Sequence, residues 1–201
     1  LAATLPLVIA MFARRGLRET WPMALVVTLV FSILLITHLA FPQKREVDSL
    51  QRLMKGATDS SRVRILNELS WIYKNIQVDS ATKYARTALT LARKTGKRTF
   101  ISKSYNSLGN AFQAGGHYDS ALHYLKLSIQ TQVSNGDSTG VANVLNNMGI
   151  IYDEQGNYDQ ALQSYFQGLR LAQRSGEGNV EAFILTNIGI VFKKQKQYDR
   201  V

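Results

Sequence analysis

YNSLGNAFQAGGHYDSAL, residues 105–122, recurs 40 positions later as LNNMGIIYDEQGNYDQAL, residues 145–162, and again as LTNIGIVFKKQKQYDRV, residues 185–201. Leu108-Gly109 returns as Met148-Gly149 and Ile188-Gly189, and Tyr118-Asp119 as Tyr158-Asp159 and Tyr198-Asp199. Ala121-Leu122 returns as Ala161-Leu162, while Gly96, Gly136 and Gly176 keep the same interval at what read as joints. A more divergent early copy carries Leu69, Tyr73, Val78-Asp79 and Ala81, one residue short of the later ones. Self-similarity at a fixed period of this length signals one supersecondary unit stacked on itself.

Each unit reads as two helices. Ile101, Tyr105, Leu108 and Phe112 fall at i, i+4, i+7 and i+11, one apolar stripe at helical spacing. Gly115-Gly116 breaks this helix, because glycine readily takes the left-handed conformation that ends one. Asp119 is placed to cap the next helix with its carboxylate, and Ala121, Tyr124, Leu125, Ser128 and Ile129 form the packing face of that helix. Gly109, Gly149 and Gly189 each cost their helix about 1 kcal/mol. A cost repeated at one register implies a neighbouring helix pressed against that turn. Three prolines in 201 residues leave such helices uninterrupted.

The spacing Leu108-Gly109, Phe112, Gly116, Tyr118, Ala121 and its copy Met148-Gly149, Tyr152, Gly156, Tyr158, Ala161 resembles the tetratricopeptide repeat. The 40-residue unit is similar to the long-helix variant of that family. The resemblance implies an all-α fold, a right-handed α-α superhelix of helix pairs, here preceded by one N-terminal hydrophobic helix. Its units fall at about 60–96, 97–136 and 137–176, with a partial one at 177–201, after a linker or short helix at 43–59. Some positions depart from the pattern. Tyr105, Leu145 and Leu185 stand where the family has tryptophan, Val133 and Gln173 where it has proline, and Ser70 where it has the first unit's helix glycine. No polar cap closes the array, so the natural chain is expected to continue beyond Val201.

The family's first helices line a concave groove that grips peptides. Carried over, the pattern puts Lys103, Asn143 and Phe183 on that wall, with Ser107, Asn147 and Asn187 four residues on. Asn106 stands beside these, and Asn110, Ile150 and Ile190 follow. Asn147 and Asn187 resemble asparagines that hydrogen-bond an extended ligand's backbone, which suits a side chain that both donates and accepts. The alternative is that these asparagines simply solvate a helix face. A clamp for a C-terminal carboxylate needs more cations on this wall than Lys103, so that specificity is not expected.

Trp21–Phe41, WPMALVVTLVFSILLITHLAF, has no charged residue and is long enough to cross a bilayer, which takes about 20 apolar residues. Arg14, Arg15 and Arg18 precede it and favour the cytoplasmic side. Two readings of residues 1–42 fit: a cleaved signal peptide starting at Met11, or a retained transmembrane anchor. Leu1–Ala10 is too short to span. Both readings put the repeats outside the cytoplasm, in the periplasm or anchored to the inner membrane. PQKREVDSLQRLMKG, residues 42–56, resembles the start of bacterial periplasmic repeat domains that precede a second span and a histidine-kinase output.

Catalysis finds little support in the residues. The chain has no cysteine, which excludes disulfides, thiolate metal sites and a cysteine nucleophile. His117 and His123 lie six apart, poorly placed on a helix to share a metal, and Asp153 and Glu154 read as surface charge. Gly96-Lys97-Arg98-Thr99 resembles the end of a phosphate loop, but Leu91 stands where its first glycine must be. The formal charge is +10, which admits acidic partners or lipid headgroups. Lys83, Arg86, Arg93, Lys94, Lys97, Arg98 and Lys103 make a run without an acid; such a run suits an acidic partner or headgroups, or is a solvated helix end. No catalytic residue, metal or cofactor is expected, and neither nucleic acid nor a small-molecule substrate. The expected function is a non-catalytic scaffold that binds a protein or peptide. The alternatives are the extracytoplasmic sensor part of a bacterial signalling protein and, more weakly, an enzyme with a site in the repeats.

Overall fold

The computed structural model describes residues 44–198, with side chains to Lys196. The expected apolar segment at 1–42, like Asp199 onward, lies outside the described residues. No helix among the described residues is long and apolar enough to cross a membrane.

A helical stretch over 44–54 leads in. Seven helices follow: α1 (Asp59–Tyr73), α2 (Val78–Thr95), α3 (Arg98–Ala114), α4 (Tyr118–Val133), α5 (Ser138–Glu154), α6 (Tyr158–Ser175) and α7 (Gly178–Tyr198). There is no strand among the described residues. Each odd helix packs on the even one after it, so α1/α2, α3/α4 and α5/α6 are the expected pairs, and α7 is a first helix whose pair is not among the described residues. First helices of successive units also touch one another, whereas second helices of successive units do not. The stack therefore bends into a superhelix with first helices inside and second helices outside.

Glycine sets the turns. Gly96, Gly116, Gly136, Gly156 and Gly176 all have φ between +68° and +76°, one every 20 residues, in a region that a side chain makes costly. Two positions of this register lack glycine, and they behave differently. At Ile76 the chain turns without a positive φ, and the N–H groups of Ile76 and Gln77 both bond the Tyr73 carbonyl, at 3.0 and 2.8 Å. At Lys196 no turn forms and α7 runs on to Tyr198. Two other caps come from side chains: Asp137 Oδ1 accepts from Gly140 N at 2.8 Å at the head of α5, and Thr58 Oγ1 accepts from Ser61 N at the head of α1.

Asp119 is not the cap expected of it. The His117 carbonyl already accepts the first helical bond, from Ala121 N at 3.0 Å, so α4 starts before Asp119 and no side chain caps it. Asp119 instead sits in the first turn, where a negative charge complements the helix dipole.

The core is a run of small clusters, one per junction. Ala121, Leu125, Val144, Met148 and Ile151 form one; Ala142, Ala161, Tyr165, Ala172, Ile184, Ile188 and Val191 form the next. Leu69, Leu108, Leu125, Ile151 and Ile184 are fully buried, each contributing about 1.5–3 kcal/mol. The packing demand read from the helix glycines holds at two of three positions. A Cβ on Gly109 would lie 2.6 Å from Leu125 Cδ2, and one on Gly149 would lie 2.6 Å from Tyr165 Cδ1. Both contacts come from the unit's own second helix. At Gly189 nothing lies within 4 Å of such a Cβ, because no second helix is present there among the described residues.

Candidate binding groove

Because first helices sit on the inside of the bend, the residues they turn away from their partners line its inner wall. Lys103 and Asn143 are exposed there. Phe183 is 69% exposed and Ile190 44%. Ser107, Asn106, Asn147, Asn187 and Ile150 are half-buried, and Ile150 packs against the core cluster around Tyr165. Asn110 is buried, and its side-chain amide makes no hydrogen bond to protein. The structure thus brings the expected residues onto one succession of helices, with unequal access.

The asparagines do more than face a ligand. Asn147 Nδ2 donates to Asn106 Oδ1 at 3.0 Å, and Asn187 Nδ2 donates to Asn146 Oδ1 at 2.8 Å. Each bond ties one first helix to the preceding one, across 41 residues. A second line of ties uses the same offset. Gln113 Nε2 donates to Glu154 Oε1 at 3.0 Å, and Lys194 Nζ reaches both carboxylate oxygens of Asp153 at 2.8 Å. Asp153 and Glu154, read from sequence as surface charge, are therefore inter-unit contacts, and the Asp153 side chain is only 13% exposed. In the first unit, Asn67 Nδ2 donates to Ser104 Oγ at 3.3 Å.

Each asparagine rung leaves hydrogen-bonding capacity behind. Asn147 and Asn187 keep an unbonded Oδ1, and Asn106 and Asn146 an unbonded Nδ2. Acceptor and donor therefore recur along the wall once per unit, a pattern that can pair with an extended backbone.

Sequence reasoning missed the start of the wall. Trp71 is 57% exposed, and Lys74 Nζ stands 3.2 Å above its ring centre, a cation–π contact. Ser70 and Trp71 of α1, with Lys74 at its C-terminal cap, meet Ser107, Asn110 and Ala111 of α3 around a small hollow. Burial pushes the Lys74 ammonium below the usual lysine range, against the opposing pull of Glu154. The missing residue of the first unit hid this site, since Trp71 matches Asn110 only at an offset of 39.

Tyr165 is the one large aromatic ring wholly buried behind this wall among the described residues. Burial first, then the charges of Asp153 and Glu154, raise its phenol above the usual tyrosine range. Among the described residues no three His, Asp or Glu side chains approach closely enough to hold a metal. Along the first helices the groups available are amides, hydroxyls, one indole, apolar side chains and scattered charges.

Residues 42–137 match the family described as the SusR N-terminal TPR domain. Residues 127–174 and 140–200 match the tetratricopeptide repeat family. No curated protein sequence matches. Among solved structures, BtubC from P. vanneervenii is similar at 21% identity and a TM-score of 0.61, over 79% of this chain and 66% of that one. The TPR domain of Arabidopsis FLU matches at 18% identity and a TM-score of 0.52, over 58% of this chain and 99% of that one. A signal transduction ATPase with numerous domains and a tetratricopeptide repeat sensor, from Pyrococcus horikoshii, matches at 17% identity and a TM-score of 0.65. That match covers 84% of this chain and 26% of the ATPase. At these identities the likeness is one of fold.

Proposed function

We propose that this array of tetratricopeptide repeats is a non-catalytic scaffold that holds a protein, or an extended peptide segment of one, along the inner wall of its first helices. The observation that carries this reading is the pair of asparagine rungs, each retaining one free acceptor and one free donor at the same register of successive units. Exposed Lys103, Asn143 and Phe183 add side-chain contacts along the same wall. We place the array outside the cytoplasm on the strength of Arg14, Arg15 and Arg18 before the uncharged run 21–41. Whether that run is cleaved or kept as an anchor, the side is the same.

A second reading makes the array the sensor region of a bacterial signalling protein. It is favoured by the Pyrococcus ATPase, whose tetratricopeptide repeats are described as a sensor. A second apolar span and kinase motifs in the full gene would support this reading. A stop after capped repeats would support the free scaffold.

Photo-crosslinking in intact cells tests the groove. A photoreactive residue at Lys103 on the inner wall is expected to capture one protein, identified by mass, that the same residue at Thr87 on the outer wall does not. Alanine at both Asn147 and Asn187 is expected to weaken that capture. Equal capture from both walls, or capture indifferent to the asparagines, rejects the groove. A reporter fused after Phe41 that proves active in the cytosol rejects the topology.

A further inference from the structure

The outer wall carries a charge pattern that the groove does not use. In α2, α4 and α6 the only acids are Asp79, Asp119 and Asp159, all at the second helical position. Beyond them no Asp or Glu occurs to the end of any of the three helices. Cations do occur. Lys83, Arg86, Arg93 and Lys94 lie on α2, and all four are exposed. Exposed Lys126 follows on α4, and exposed Arg170 and Arg174 on α6. None of these seven is paired with a carboxylate. Their nearest engagements are uncharged: Arg93 donates to the Tyr105 hydroxyl at 3.1 Å, and the Arg86 guanidinium stands 5.7 Å from the Phe112 ring centre.

Registers continue across the units. Arg86, Lys126 and Phe166 occupy equivalent positions 40 residues apart, and Phe166 is 41% exposed. The first helices lack this pattern: α1 carries Glu68 beside Arg62 and Arg64, α5 carries Asp153 and Glu154 with no cation of its own, and α7 carries Glu181 beside three lysines. Beyond one exposed aspartate in each first turn, the second helices thus carry only cations, four on α2, one on α4 and two on α6, with an exposed aromatic ring in the same register.

We propose that this outer wall docks on a bilayer surface rich in anionic lipid. A membrane surface is an extended sheet of negative charge that attracts Lys and Arg without requiring a pocket, each adding roughly five-fold to partitioning. Phe166 supplies the apolar contact that an interface takes. The uncharged run 21–41 is joined to α1 by residues 42–58, of which 44–54 are helical, a connection of at most about 40 Å. For the nearness of a bilayer the proposal rests on the topology given above; for its chemistry it rests on α2, α4 and α6 alone. Docked this way, the array keeps its inner wall turned from the lipid and open to a partner.

The absence of cysteine gives a clean test with the full chain. A fluorophore is attached at Gln167→Cys on the outer wall or at Asn143→Cys on the inner wall, both exposed positions. Vesicles contain a headgroup-quencher lipid in phosphatidylcholine, with or without about 30 mol% phosphatidylglycerol. The Gln167 label is expected to be quenched at least about two-fold more than the Asn143 label, only with phosphatidylglycerol, and not at about 1 M salt, where charges are screened within about 3 Å. The combined variant K83E, R86E, R170E and R174E is expected to need at least about ten-fold more anionic vesicle for the same quenching. A milder variant with glutamine at the four positions is expected to fall between, and circular dichroism of both is expected to match the parent. Equal quenching of the two labels, equal quenching by neutral vesicles, or indifference to the four substitutions overturns the proposal. So does a Gln167 label that answers a single-stranded DNA oligonucleotide but not phosphatidylglycerol. Topology is read separately by the reporter after Phe41, so failure of one is distinguishable from failure of the other.

Discussion

Gly149 and Gly189 occupy the same register of consecutive first helices, yet their surroundings are opposite. A Cβ at Gly149 would run into the Tyr165 ring, whereas one at Gly189 meets nothing within 4 Å. The difference lies in α6, which packs on α5 and has no counterpart against α7 among the described residues. A glycine inside a helix is thus half of a contact. The sequence repeats the half that belongs to the first helix, and the second helix supplies the other. Leu185 and Phe192 of α7 are exposed as well, with no second helix against α7 among the described residues.

The strongest way to break the contrast is to remove the ring. Tyr165→Ala is expected to cost about 3–5 kcal/mol in urea unfolding, and to make Gly149 resemble Gly189. Gly149→Ala should then cost about 1–3 kcal/mol in the parent protein by overpacking, but close to nothing in the Tyr165→Ala background. A double-mutant cycle that returned additive effects would refute the assigned contact. Next in size, Asn147→Ala removes the rung to Asn106 and is expected to cost about 1 kcal/mol, whereas Asn143→Ala, whose amide only bonds its own helix at Thr139, should cost less. In the opposite direction, Gly189→Ala is expected to stabilise by up to about 1 kcal/mol through helix propensity; any loss would mean that its open side is filled.

The smallest expected effect is one of pH. Tyr165 has its phenol raised in the folded state, so its contribution is fully present below the ordinary tyrosine value of about 10 and is lost as pH rises above it. Unfolding measured up to about pH 11 should show the parent losing stability with pH more steeply than Tyr165→Phe. Parallel pH profiles would contradict the burial assigned to this ring.

The helix pairs were legible because their marks are local. An apolar stripe, a left-handed glycine and a small residue at a crossing each declare themselves within one unit. The ties between units were not, because they join residues 41 apart in a 40-residue repeat, so aligned copies never place the two partners in one column. Asn147 therefore looked like a free amide, and Asp153 like surface charge. The inner wall could be drawn from the resemblance, but Trp71 and Lys74 were lost where the first copy is one residue short. The Asp119 cap failed for a different reason: a capping residue and a first-turn acid have the same identity in sequence, and only the backbone bond from Ala121 to His117 separates them.

The one-residue slip in those ties has a mechanical consequence. One residue along a helix is about 1.5 Å of rise and about 100° of rotation, so every rung is a stop that lets each unit settle only when turned a little against the last. Pulling the ribbon straight would strain the asparagine and Lys194–Asp153 fastenings on the inside edge while leaving each helix pair whole. These fastenings therefore add to the resistance that the apolar cluster at each junction sets against straightening, and shortening them should soften the ribbon while leaving its helix pairs folded.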